Sequence, residues 1–235
     1  MTEEPSSLLQ LKQVSKLYGD HQVHALEGVS LSFRRGEFVS LVGPSGCGKS
    51  TLLNLIAGVD RPTSGQIFLN GIDLTSCSDE DLTEIRAINI GYVFQFFNLL
   101  SMLTVEENVS LPLELVGKHT EKEIKQQVAN MLERFGMTER AQFYPAQLSG
   151  GEMQRTAIAR ALVHSPGLIL ADEPTGNLDT ENGRIILELL ASLNGELQTT
   201  IIMATHSSNA AAFTQRTIQI QDGCVVDETK QCPLR

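Results

Sequence analysis

A chain of 235 residues, 41% hydrophobic and 20% charged, holds enough apolar material for one large globular domain or a domain with an inserted lobe. Its net charge of −10, with no basic block or arginine-rich stripe, argues against binding nucleic acid or anionic lipid through charge. No apolar run nears the ~20 residues of a membrane span, and the start MTEEPSSLLQLKQ lacks a basic segment followed by an apolar one.

The cysteines at 47, 77, 224 and 232 have no metal-ligand spacing and read as free thiols of a reducing, cytoplasmic compartment. Apolar runs at about 8–14, 28–33 and 37–42 read as strands. The third leads into GPSGCGKST, residues 43 to 51, and helical periodicity takes over at about 49–58. A strand turning sharply into a helix leaves the first helical N–H groups without partners, and glycines let them curl around an anion. Gly43, Pro44, Ser45, Gly46, Cys47 and Gly48 therefore read as a phosphate cradle. Lys49 reaches the terminal phosphates, Ser50 places a hydroxyl on magnesium, and Thr51 touches the phosphate nearest the sugar. Cys47, at a helix N-terminus and two positions from Lys49, is expected to be a reactive thiolate whose labelling a nucleoside triphosphate bound in the cradle slows, or an incidental small residue.

A strand at about 66–69 enters a hairpin around Asn70-Gly71, and another strand follows at about 90–94. Helical periodicity at 104–116, 120–135 and 150–163, with no strand signal, predicts an inserted helical lobe over about 100–163. Six of the eight residues of FFNLLSML, 96 to 103, are apolar. The segment reads as a partner surface anchored by Phe97, Leu100 and Met102, or else as core. LSGGEMQRTAIARAL, 148 to 162, is a second glycine-rich loop opening a helix, with Ser149 as N-cap and a second anion site in prospect. GLILADEP, 167 to 174, is a strand ending in Asp172 and Glu173 and cut off by Pro174. Ligands of open α/β sheets bind beyond such strand ends. Adjacent strand residues point to opposite faces, so Asp172 is expected to hold magnesium and Glu173 to polarise an attacking water. A helix at 181–194, strands at 199–204 and 217–221 and a hairpin around Asp222-Gly223 complete the chain. The strand–helix alternation of the second half implies a parallel sheet.

With LSGGEMQR close to the family signature and the other motifs in family order, nearly the whole chain resembles the ATP-binding cassette ATPases. The resemblance implies a single domain over 1–235. Its fold class is α/β, a P-loop ATPase core with a mainly parallel sheet, an N-terminal antiparallel β subdomain and an inserted helical lobe. Tyr18 in KLYGD looks like the aromatic that stacks on adenine, and Gln95 in VFQ like the residue that senses magnesium and the water. Asp179, closing GNLD, resembles the dimer-crossing loop, and His206 in MATH the switch histidine at the terminal phosphate. Ser149, Gly150, Gly151 and Gln154 would act on a partner subunit's ATP. The implied catalytic residues are Glu173, His206 and Gln95, and the implied Mg2+ ligands are Ser50, Gln95 and Asp172.

Two such chains, or one and a paralogue, would sandwich two ATP molecules, and hydrolysis would release the dimer. GVDRPTSGQIFLNGIDL, IGYVFQFFNLLSMLTVEENVSLPLEL and LADEPTGNLD look most like the lipoprotein-releasing and macrolide-efflux subfamily, and are similar to the cell-division cassette ATPase. The subfamily's Leu-Leu-Pro is Leu99-Leu100-Ser101 here. The resemblance implies an ATPase held at the inner face of the cell membrane by permease subunits, one of whose short cytoplasmic helices docks beside the glutamine loop. It would power export or extraction of a lipid, lipoprotein or drug, or gate a membrane partner without transport.

Overall fold

The computed structural model describes residues 7–19 and 23–230, so Cys232 and the first six residues lie outside it. The chain runs through β1 (Ser7–Tyr18), β2 (Val23–Arg34), β3 (Phe38–Val42), α1 (Lys49–Ile56), β4 (Ser64–Leu69), β5 (Ile72–Asp73) and α2 (Asp79–Asn89). Then come β6 (Ile90–Val93), α3 (Val105–Val116), α4 (Glu121–Arg134), α5 (Gly150–Leu162), β7 (Leu168–Asp172) and α6 (Thr180–Leu197). It closes with β8 (Thr200–Thr205), α7 (Ser208–Ala211), β9 (Arg216–Gln221) and β10 (Cys224–Lys230). The described residues up to 83, together with those from 191 on, form one compact unit, and 84–190 form a second.

In the first unit the N-terminal strands make an antiparallel sheet in the order β2-β1-β4-β5. β1 runs past the expected 8–14 because a bulge at Gln13, with φ 51°, breaks the alternation without ending the strand. Gln13 there donates its backbone N–H to Ser30 Oγ at 2.9 Å. Beyond the bulge the strand carries Tyr18 at its end. β3 pairs in parallel with β8 and with β9, and β10 returns antiparallel to β9. β3 and β8 are buried along nearly their whole length, which explains their continuous apolar runs.

In the second unit β6 and β7 pair in parallel, from Ile90 opposite Leu168 to Val93 opposite Ala171. A Cβ at Gly91 would fall 2.0 Å from the Ala161 carbonyl oxygen, so the missing side chain lets α5 lie close against β6. Three helices start on the same device. Thr104, Thr120 and Ser149 each accept the backbone N–H three residues on, while Glu107, Glu123 and Glu152 reach back to the cap. α2, which the apolar pattern does not reveal, buries only Leu82 and is opened by Ser78 and Asp81 binding each other's backbone N–H groups.

Candidate active site

The first unit holds the loop between β3 and α1. Its glycines serve separate needs. A Cβ at Gly43 would lie 2.1 Å from the Ile220 carbonyl oxygen, so β9 closes on the loop only because none is there. Gly46 and Gly48 take φ of 80° and 107°, which disfavour any side chain, and a Cβ at Gly48 would also lie 2.4 Å from Ala25 O. Gly48 is the residue before α1 and brings no side-chain cap, and the helix's first turn has no acidic residue. Lys49, only 6% exposed, turns its Nζ inward to donate to the Gly43 carbonyl at 2.7 Å and the Pro44 carbonyl at 2.9 Å. Pro44, Ser45, Gly46 and Ser50 face solvent and Thr51 is half-buried, so the loop presents backbone N–H groups and hydroxyls around a central ammonium.

Tyr18 is fixed beside this loop from three directions. Its hydroxyl donates to Asp60 at 2.7 Å, its ring carries the Lys16 ammonium 4.8 Å from the centroid, and Thr51 also hydrogen-bonds it. Burial, and then Asp60 accepting the hydroxyl, raise the phenol above its usual pKa. Lys16 binds Asp60 at 2.6 Å. Although burial works the other way, Lys16, Tyr18 and the Arg61 backbone hold the Asp60 carboxyl below the usual carboxylate range. His206 belongs to the same unit, exposed directly after β8.

Cys47 corrects an expectation. Its thiol is 4% exposed and lies beneath Gly43, with Sγ 2.7 Å from where a Cβ there would be and 3.8 Å from Lys49 Nζ. A bulky thiol reagent has no approach to it, so the expected reactivity does not hold.

The second unit gathers Gln95, Ser149, Gly150, Gly151, Asp172, Glu173 and Asp179. Asp172 is the last residue of β7, and Glu173 follows outside the strand with φ 47°. The two carboxylates are therefore parted by a left-handed backbone step, not by the strand alternation expected. The Gly176 N–H closes that turn on the Glu173 carbonyl at 2.9 Å. A Cβ at Gly176 would lie 3.2 Å from Gln95 Nε2, and Asn177 donates to the Gln95 carbonyl at 2.6 Å. Asp179 then caps α6, accepting the Asn182 N–H at 2.9 Å and its side-chain amide at 2.6 Å. Asn182 Oδ1 sits 2.8 Å from where a Cβ of Gly151 would be. One run of chain, 173 to 182, thus ties the glutamine, the acid and the LSGG turn together. Tyr92, pushed up by burial and by Asp172 nearby, stays neutral.

The LSGG turn is already satisfied internally. Ser149 donates its hydroxyl to Glu152 Oε2 at 2.8 Å and its N–H to the same oxygen at 2.8 Å, and its Oγ accepts the Glu152 N–H at 3.3 Å. Arg140 binds the other carboxylate oxygen at 2.8 Å. Arg140 first, then the Ser149 donors, hold the Glu152 carboxyl down at about 2. Sequence reasoning missed both residues, although the Ser-x-x-Glu spacing at 149–152 announces the cap. Gln154 needs a second correction. It is 0% exposed, with neither side-chain polar atom hydrogen-bonded, so it does not share the accessible face of Ser149 expected of a group acting on another subunit's ligand.

The apolar segment after Gln95 is built rigidly. Arg160 donates to the carbonyls of Phe97 and Asn98 at 2.9 and 2.6 Å, where both residues have positive φ. Asn108, fully buried, bonds the backbone of Leu100, Leu103 and Thr104. Phe96, Leu100 and Met102 are 71%, 48% and 79% exposed, whereas Phe97 is half-buried, so Phe96 replaces Phe97 among the outward residues.

The family model for ABC transporters matches residues 26–176. An uncharacterized ABC transporter ATP-binding protein of Methanocaldococcus jannaschii, MJ0796, is 45% identical over 228 residues, covering 95% of this chain and 97% of that one. The lipoprotein-releasing system ATP-binding protein LolD of Psychrobacter arcticus is 41% identical over 220 residues, covering 93% of this chain and 97% of its own. Among solved structures, the dimeric post-hydrolysis state of the ATP-binding cassette MJ0796 bound to ADP and Pi matches with a TM-score of 0.88 at 43% identity, over 96% of this chain and all of that one. A phosphate-ready loop, an LSGG helix and these likenesses over nearly the full length lead to one conclusion: the chain belongs to the ABC transporter family and is an ATP-binding cassette ATPase.

Proposed function

We propose that the chain is the energy-coupling subunit of a membrane exporter, acting as a single cassette domain that pairs with a second copy around two ATP molecules. The observation that carries this reading is the loop 43–51, whose glycine-dictated backbone surrounds the Lys49 ammonium at an α1 start without a side-chain cap. In this reading the loop binds the phosphates and Thr51 the one nearest the sugar. Tyr18 stacks the base on the face opposite Lys16. Ser149, Gly150 and Gly151 of the other copy close the site, with Asp179 crossing the interface, a reading supported by the similar cassette MJ0796 being a dimer bound to ADP and Pi. Glu173 accepts a proton from the attacking water, Gln95 orients that water, and His206 contacts the terminal phosphate.

Ser50, Gln95 and Asp172 offer oxygen donors, a hard set that suits Mg2+. When bound, it neutralises phosphate charge during cleavage.

No helix among the described residues is long and apolar enough to cross a membrane. In this reading permease subunits hold the chain at the inner face of the membrane by docking on the exposed Phe96, Leu100 and Met102. LolD, 41% identical, is named for lipoprotein release, which supports a lipoprotein or lipid as cargo. Glu173→Gln should retain ATP binding, lose roughly 10²–10⁴ in kcat and accumulate an ATP-bound dimer in size-exclusion chromatography. Hydrolysis near the wild-type rate would remove Glu173 from this role. The cell-division-like alternative predicts that the reconstituted complex hydrolyses ATP without moving any cargo.

A further inference from the structure

Tyr18 closes β1 with 41% of its surface exposed, and an exposed aromatic at a strand end ordinarily keeps rotamer freedom that a stacked base would have to remove. Here bonds to one carboxylate remove it beforehand. Asp60 accepts the Tyr18 hydroxyl on Oδ2 at 2.7 Å and the Lys16 ammonium on Oδ1 at 2.6 Å. Lys16 also donates to the Arg61 carbonyl at 2.7 Å, and its ammonium stands 4.8 Å from the centroid of the Tyr18 ring. Asp60 thus fixes both the tip of the ring and the cation that covers one of its faces.

Asp60 belongs to the turn that ends the phosphate-loop helix. The N–H groups of Val59 and Asp60 both donate to the Asn54 carbonyl in α1, at 3.0 and 3.3 Å. The same turn is stitched to β1, where the Thr63 N–H donates to the Ser15 carbonyl at 2.8 Å and the Leu17 N–H donates to Thr63 Oγ1 at 3.0 Å. Thr51, in the first turn of α1, also hydrogen-bonds Tyr18. The ring is therefore held from both ends of the helix that Lys49 opens, and α1 sets its distance from the phosphate loop.

We propose that Asp60 is a positioning residue for the nucleotide, presetting the Tyr18 ring so that its open face meets the nucleobase while the phosphates lie in the loop, an assignment that rests on the reading above in which Tyr18 stacks the base. Lys16 covers the other face, so the base has one place to go. A preset ring spares the incoming nucleotide the cost of ordering that side chain, which lowers Kd and KM. Asp60 acts on the base end alone, so its loss raises KM and leaves kcat unchanged.

The test titrates the full chain calorimetrically, with Mg2+ present, using ADP and inorganic pyrophosphate as probes of the base end and of the phosphate end. Tyr18→Ala should weaken ADP roughly 5- to 150-fold, the worth of a base stacked on an aromatic ring, and leave pyrophosphate affinity unchanged. Tyr18→Phe keeps the ring but breaks its bond to Asp60, and Asp60→Ala breaks the same bond from the other side. Each should weaken ADP roughly 2- to 13-fold, the cost of ordering one side chain, again without change for pyrophosphate. Both should raise KM for ATP by the same factor at the wild-type kcat. In the Tyr18→Ala background Asp60→Ala should cost nothing further, because Asp60 acts through the ring.

Equal losses for ADP and pyrophosphate in Asp60→Ala, or a full further loss in the double variant, would show that Asp60 only builds the turn and would overturn the assignment. Wild-type ADP affinity in Tyr18→Phe would overturn it as well, and that variant leaves the turn's own bonds in place. The outcomes separate the two readings. An unchanged ADP affinity in Tyr18→Ala sinks the stacking reading and this assignment together, whereas a loss in Tyr18→Ala with none in Tyr18→Phe and Asp60→Ala sinks this assignment alone.

Discussion

Two glycine-rich turns open two helices in this chain, and they solve the helix N-terminus in opposite ways. At α1 the residue before the helix is Gly48, the third helical residue is Thr51, and the nearest charge is the Lys49 ammonium folded onto the loop. At α5 the cap is Ser149, the third helical residue is Glu152, and its carboxylate takes Ser149's N–H and hydroxyl together with Arg140. The first turn surrounds a cation and suits an anion as it stands. In the second, an anionic ligand must win Ser149's hydroxyl from a carboxylate of the same chain. A shared pattern of glycine and hydroxyl before a helix therefore does not define a shared site. The third helical residue decides it.

The contrast can be broken most sharply at Gly48. Gly48→Ala forces a side chain onto a φ of 107° and to 2.4 Å from Ala25 O, and should cost about 2–4 kcal/mol in urea unfolding. Next, Lys49→Ala should weaken binding of a fluorescent ATP analogue by roughly 10- to 150-fold, the worth of a charged hydrogen bond to phosphate. A comparable melting temperature would separate that loss from collapse of the loop.

Glu152→Gln tests the other turn. It should cost about 1–2 kcal/mol at pH 7 and lower the ATP concentration at which dimer appears, since Ser149 is no longer held by a charge. Because folding lowers the Glu152 pKa to about 2, its stabilisation is complete above the ordinary carboxylate range near 4.5 and is lost as pH falls toward 2. Unfolding curves of wild type and variant should converge over that window. The smallest effect is expected at Gly150→Ala. Its nearest neighbour would be Leu178 Cδ2 at 3.4 Å, its φ is not positive, and the change in stability should stay within about 0.5 kcal/mol.

The loop 43–51 and the strand ending at Asp172 are legible in sequence because short-range spacing alone fixes them, strand before and helix after. Tertiary packing decided what was not legible. β1 reaches Tyr18 only by crossing the bulge at Gln13, which a search for period-two alternation reads as an end. Cys47 has the helix-end position of a reactive thiol, yet Gly43 covers it. Gln154 points inward although it sits in the signature run, and Phe96, not Phe97, faces out because Arg160 holds the backbone of 97 and 98 in left-handed conformations. The holders themselves, Arg140, Asn108 and Arg160, lie 12, 4 to 8 and at least 62 positions from the groups they grip, and only contact in space reveals them.

The grip of Arg160 and Asn108 on residues 97–104 has a kinetic consequence. This stretch lacks regular secondary structure, but its conformational entropy is surrendered when the chain folds and not when a partner arrives. A protein landing on Phe96, Leu100 and Met102 should therefore associate in a single exponential step whose rate rises linearly with concentration, without the slow ordering phase of a loop that folds on binding.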